Sequence, residues 1–218
     1  MLYANKLYIV SSLGRSGSSL LYETITESNL KKDKNNYFWK THYNAKEIMN
    51  TAITNKKQIK NIFIFRDPVE IILSLLNIYK DNRKEYGLEG KKFIHSHCQN
   101  MRRNWGGPVS EIVNRFDKLI VKSDILQLEN MFDSFIENNR YGTLMVNYNS
   151  LWENKTEVEG YLQTKLKLPN RVDKDKTNKF EEIVNEKEYQ QIKDTYKELS
   201  EKINNNKNIR LIKTNEPD

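Results

Sequence analysis

The hydrophobic pattern opens with Leu7-Tyr8-Ile9-Val10, a short apolar run that reads as a buried strand. Small residues follow from Ser11 to Ser19. Leu20, Leu21 and Ile25 then recur at helical spacing, which predicts a helix over residues 18–28. After a charged loop at 31–36, Tyr37-Phe38-Trp39-Lys40-Thr41-His42 is an aromatic strand ending in polar residues, and residues 45–53 suit a short helix. Asn61-Ile62-Phe63-Ile64-Phe65 is continuously apolar after its first residue, as in a strand buried on both faces. Pro68 fits the first turn of a helix with Asp67 as its N-cap. Ile71, Ile72, Leu75, Leu76 and Tyr79 give residues 69–80 one buried side.

The second half is more polar. Residues 81–92 read as a connection and 93–103 as a helix stopped by Gly106-Gly107-Pro108. A strand is expected at 119–122, a helix at 124–138, and a buried strand at 143–148 reached through Gly142. A helix over 158–166 ends before Pro169, residues 170–179 are a basic loop, and 181–203 predict one long amphipathic helix. Strands alternating with helices indicate an α/β fold, a central parallel sheet flanked by helices. With no internal repeat and no composition break, residues 1–218 are expected to form a single domain.

Composition narrows the function classes. With 37% apolar and 11% aromatic residues the chain is lean but globular, which argues against disorder. The net charge of +7 suits an anionic ligand, a nucleic acid or an acidic glycan without choosing among them. Cys98 is the only cysteine, so an intrachain disulfide is excluded and a reducing compartment fits. The first strand starts too near Met1 for a secretory leader, and no apolar run approaches the ~18 residues of a membrane span. The expectation is a cytoplasmic protein without membrane association.

Candidate chemistry begins at Ser11-Ser12-Leu13-Gly14-Arg15-Ser16-Gly17-Ser18-Ser19. Strand, Gly/Ser loop and helix form the layout in which backbone N–H groups at a helix N-terminus cradle a phosphate. Gly14 and Gly17 permit a sharp turn and close approach of an anion. Ser16, Ser18 and Ser19 add hydroxyls, and Arg15 adds a permanent cation. The loop is not the nucleotide-triphosphatase type, because Ser18 stands where that motif needs lysine. It is not the G-x-G-x-x-G dinucleotide type either, because its glycines are spaced differently.

Arg15-Ser16-Gly17-Ser18-Ser19 resembles the 5′-phosphosulfate loop of sulfotransferases, in the R-S-G-S-S form of the carbohydrate-modifying branch. Further segments match the same family. Lys40-Thr41-His42 resembles the K-T-H of cytosolic sulfotransferases, which implies His42 as catalytic base and Lys40 as a stabiliser of the transition state. Histidine titrates near the working pH, and residues two apart on a strand share a face. Arg66-Asp67-Pro68 with Ser74 resembles the 3′-phosphate site, an arginine at a strand end and a serine on the following helix. Tyr148 resembles the tyrosine that lies against the nucleotide, although Asn149 and Ser150 replace the acidic pair that follows it in the family.

The resemblance runs from about Lys6 to Leu168 and implies a P-loop-like fold using 3′-phosphoadenosine-5′-phosphosulfate (PAPS), with PAP as product. It assigns Gly14, Arg15, Ser16, Gly17, Ser18, Ser19, Arg66, Ser74 and Tyr148 to the donor, and His42, Lys40 and Arg15 to the chemistry. No metal is implied. The chain lacks the family's late R-K-G segment, for which the basic loop with Arg171, Lys174, Lys176 and Lys179 is a substitute to consider. The acceptor is a small molecule or a glycan, through a hydroxyl or an amine, with selectivity expected in residues 81–108. Glu23 and Glu47 are alternative bases; Trp39, Trp105 and Trp152 are core or rim candidates, of which Trp39 and Trp105 are also placed to line an acceptor pocket. His95, His97 and Cys98 lack both the spacing and a second cluster for zinc. Two other readings stay open, a basic nucleic-acid-binding protein and a nucleotide kinase with a degenerate loop. Nucleic acid is not the expected partner, and the oligomeric state is not readable.

Overall fold

A computed structural model describes residues 6–48, 50, 58–80, 89–101, 109–137, 142–171, 180–206 and 210–212. The described elements open with β1 (Lys6–Ser12), α1 (Ser18–Thr26), β2 (Asn36–Thr41), β3 (Gln58–Phe65) and α2 (Pro68–Lys80). They continue with α3 (Gly90–Met101), α4 (Val109–Asn114), α5 (Phe116–Ile120), α6 (Leu128–Glu137) and β4 (Thr143–Asn147). The last are α7 (Lys155–Leu162), α8 (Phe180–Ile183), α9 (Glu186–Thr195), α10 (Lys197–Asn205) and β5 (Arg210–Ile212). The chain divides into two compact units, one within 1–66, 130–171 and 206–218, the other within 67–129 and 172–205.

The first unit holds the whole sheet, ordered β2-β1-β3-β4-β5. β1 pairs in parallel with β2 and β3, β3 pairs in parallel with β4, and β5 runs antiparallel to β4. The α/β reading with a mostly parallel sheet therefore holds, and β5 is an addition. Its short, mostly exposed Arg210-Leu211-Ile212 carries too little pattern to reveal a strand.

Alternation along the strands builds two faces. On one, Tyr8, Val10, Ile62, Ile64, Leu144 and Val146 pack with Leu21 and Ile25 of α1 and Val158 and Leu162 of α7. On the other, Phe63 stacks on Phe135 at 4.0 Å, and Phe65 meets Phe132 edge-on at 5.3 Å. This second face also carries a buried polar rung. The Ser11 hydroxyl lies 3.1 Å from Asn61 Oδ1, and Asn61 Nδ2 donates to Thr143 Oγ1 at 2.9 Å. All three residues are buried, so their polar atoms need these bonds.

In the second unit, α2 starts where the Asp67 carboxylate accepts the Val69 N–H at 2.8 Å, and it buries Ile71, Ile72, Leu75, Leu76 and Ile78. Tyr79 is half-buried against Phe116, 5.5 Å away. The strand expected at 119–122 is instead the end of α5, because Phe116 and Ile120 bury at helical spacing. The long helix expected over 181–203 is three helices. Asn185 and Glu188 form a capping box that starts α9 afresh. Tyr196, between α9 and α10, is buried with its hydroxyl donating to the Ile120 carbonyl at 3.1 Å. The helix expected from 124 begins at Leu128, because the Asp124 carboxylate accepts the Glu129 N–H and Gln127 takes a left-handed backbone, φ 54°. The helix expected over 158–166 is α7, Lys155–Leu162, closed by left-handed Gln163.

Candidate functional site

Strand order decides where a ligand can sit. From β1 the chain passes to β2 on one side, then returns to pair β3 on the other. The crevice beyond the carboxyl ends of β1 and β3 is thus a topological switch point, where open α/β sheets bind ligands. β1, β2, β3 and β4 end in the same direction at Ser12, Thr41, Phe65 and Asn147. The candidate residues of the first unit lie at or just beyond these four ends.

After Ser12 the backbone turns through left-handed conformations at Gly14 (φ 78°), Arg15 (φ 46°) and Gly17 (φ 81°). Such alternation aims successive N–H groups inward, a shape that receives anions. Gly17 is the N-cap of α1, and no side chain caps the helix there. The first N–H groups of a helix have no intrahelical acceptor, so this positive end suits an anion. Leu21 N–H closes the first turn onto the Gly17 carbonyl at 3.1 Å. The Ser16 hydroxyl, buried, donates to the Gly14 carbonyl at 2.9 Å and braces the loop from within. Ser18 is buried at the helix start.

β2 brings in the second group. Lys40 Nζ donates to Ser19 Oγ at 3.0 Å, which puts a cation at the first turn of α1. Partly buried His42 follows the strand, with its Nδ1 3.0 Å from the Ser12 carbonyl oxygen and 3.1 Å from Ser12 Oγ. Burial is the largest influence on the imidazole and holds its pKa below the ordinary histidine value. The bond with the Ser12 carbonyl opposes that shift, and the charge of Lys40 adds to it. The net result is a neutral imidazole near pH 7, able to take a proton.

β3 and β4 supply the third group. The Arg66 guanidinium lies over the Tyr148 ring, 5.6 Å from its centroid. The same ring stands so close to Gly17 that a Cβ there would overlap its Cδ2 and Cε2. Tyr148 meets Trp152 edge-on at 5.4 Å, and Arg171 lies over Trp152 at 5.8 Å while pairing with Glu153. A chain of aromatic and cationic groups thus runs outward from the loop.

The first unit therefore brings together the loop, Lys40, His42, Arg66 and Tyr148. Ser74 is half-buried on α2 in the second unit, about two turns from its start. Trp152 and Arg171, both considered from the sequence, extend this group through Tyr148. Ser12 adds contacts that the sequence did not assign, its one legible signal being the polar Ser11-Ser12 pair that ends an otherwise apolar strand. Trp39 packs edge-on against Tyr43 at 5.1 Å. His97 stacks on Phe93 at 5.3 Å and Cys98 is buried. Among the described residues no group of three or more His, Cys, Asp or Glu side chains could hold a metal ion. Of the expected selectivity region, 81–88 and 102–108 with Trp105 lie outside the described residues, as do Lys174, Lys176 and Lys179. No helix among the described residues is long and apolar enough to cross a membrane.

No family model matches the chain, and no curated protein matches it. Among solved structures it is similar to the mouse sulfotransferase SULT7A1 complexed with PAP. The match covers 92% of this chain and 89% of that chain, with a TM-score of 0.52 at 12% sequence identity. At that identity the likeness is one of fold: the chain has the α/β fold of a sulfotransferase.

Proposed function

We propose that this protein is a sulfotransferase that moves the sulfuryl group of PAPS to a hydroxyl or amine of a small-molecule or glycan acceptor. The observation that carries the reading is the meeting of four features at the carboxyl ends of parallel strands. These are an uncapped helix N-terminus, a lysine at its first turn, a neutral imidazole, and an arginine lying on a tyrosine. The fold likeness to a PAP-complexed sulfotransferase supports it independently.

In this reading the amides opening α1, with Arg15, hold the 5′-phosphosulfate, and Ser18 and Ser19 add hydroxyls. Arg66, set against Tyr148, meets the 3′-phosphate that distinguishes this donor from ATP. The acceptor oxygen forms its bond to sulfur while its proton passes to His42. The sulfur–oxygen bond to the 5′-phosphate breaks, and PAP leaves with the electron pair. Lys40 and Arg15 offset negative charge on the bridging and transferring oxygens, so catalysis is mostly positioning and electrostatics.

Calorimetric titration with PAP, ADP and ATP, each with and without magnesium, tests the donor site. PAP is expected to bind more tightly than ADP and independently of the metal. Arg66→Ala should weaken PAP about 10- to 100-fold, the loss of a charge-assisted hydrogen bond, and leave ADP nearly unchanged. Equal affinity for PAP and ADP would remove the 3′-phosphate from the reading, and with it the sulfotransferase assignment.

A further inference from the structure

Ser12 touches two parts of the site at once. Its hydroxyl oxygen accepts the Gly14 N–H at 3.2 Å, the first amide of the anion loop. The same oxygen lies 3.1 Å from His42 Nδ1, and the Ser12 carbonyl lies 3.0 Å from that nitrogen. A carbonyl can only accept, so the shorter contact requires the imidazole proton on Nδ1. A hydroxyl has two acceptor lone pairs. With Nδ1 protonated, one can take Gly14 N–H and the other can share the Nδ1–H with the Ser12 carbonyl. Ser12 is fully buried, so this arrangement does not compete with bulk water.

We infer that Ser12 is a positioning residue for His42: its carbonyl and hydroxyl together hold the Nδ1–H tautomer, so that Nε2 is the basic nitrogen, and tie the ring to the first amide of the anion loop. The inference rests on the reading of His42 as base, but its first consequence is independent of any reaction. Taking a proton at Nε2 leaves Nδ1–H unchanged, so both bonds to Ser12 persist as the neutral ring becomes imidazolium. The base then accepts its proton without turning. The partner is a neutral residue rather than a carboxylate, so the ring is oriented with no added counter-charge.

The test is a ¹⁵N-correlated spectrum of the His42 imidazole in the full chain at a pH where the ring is neutral, with turnover measured alongside. The wild-type ring should show a protonated Nδ1 and an unprotonated Nε2. Ser12→Ala removes the hydroxyl and keeps the backbone carbonyl, so the ring should stay mainly Nδ1-protonated but with a measurably larger Nε2–H fraction than wild type. The substitution should also lower kcat about tenfold or more, within the range of general-base effects, while KM for PAPS and PAP affinity stay within about threefold. Ser12→Thr, which keeps the hydroxyl, should restore both the spectrum and kcat. A wild-type ring protonated on Nε2 would overturn the inference. So would a Ser12→Ala variant with the wild-type tautomer ratio and wild-type kcat. If PAP does not bind at all, the sulfotransferase reading fails while the tautomer measurement still decides the role of Ser12.

Discussion

Replacing His42 by alanine is expected to lower sulfuryl transfer about a thousandfold, a typical loss for a general base that also orients the nucleophile. PAP affinity should change by less than about threefold, or ~0.6 kcal/mol. The expected split follows from position. His42 is held by Ser12, at the strand end before the loop, whereas in the proposed reading the phosphosulfate is held by the amides opening α1. The pH dependence supplies a second arm. Burial and Lys40 lower the imidazole pKa, so the unprotonated base persists below pH 6.5, the ordinary histidine midpoint. The acid limb of kcat/KM, which reports the free protein, should therefore have a midpoint below 6.5 and vanish in His42→Ala. An alanine variant within tenfold of wild type, still showing that limb, would pass the role to another group, Glu23 or Glu47 being the first to examine.

Gly17→Ala should be the most damaging small substitution in the loop. The residue has φ 81°, where a Cβ costs about 1–2 kcal/mol. Its Cβ would also enter the Tyr148 ring, and overpacking of this kind costs about 1–3 kcal/mol. Together these predict a loss of roughly 2–5 kcal/mol, a fall in Tm of about 5–15 °C for a chain of this size. The ring that must move carries Arg66 on its face, so PAP affinity should fall along with Tm. Tyr148→Ala in the Gly17→Ala background makes room for the methyl group. It should recover part of the lost Tm but not PAP affinity. Wild-type melting and PAP binding in Gly17→Ala alone would show that the loop is not held in this conformation.

The parallel strands were legible because their apolar runs are short, β-branched and bounded by polar residues. Leu7 to Val10 and Asn61 to Phe65 could bury both faces only in a sheet covered on each side. What the pattern missed depends on partners far along the chain. The 119–122 run was read as extended, but Phe116 and Ile120 find their burial a helical turn apart. The break in the 181–203 helix depends on Asn185 meeting Glu188 and on the Tyr196 hydroxyl reaching Ile120, and apolar periodicity registers neither. At the site, Lys40 and His42 were placed by motif and strand alternation. The polar end of β1 was legible but the role inferred for Ser12 was not, because it depends on the imidazole that follows β2 lying beside it.

The polar rung across β1, β3 and β4 has a consequence for how this sequence can change over time. Ser11, Asn61 and Thr143 come from distant parts of the chain, yet each completes its neighbour's hydrogen bonding. Asn61→Leu alone removes both of these bonds, although the Ser11 hydroxyl still has the Ile62 carbonyl at 3.2 Å, and should cost about 1–3 kcal/mol. Changing all three to Ala, Leu and Val together removes the unmet need and should return most of the stability in urea melts. The three positions are thus coupled: a single apolar replacement should cost more than its share of the joint one, which favours keeping the set or exchanging it whole.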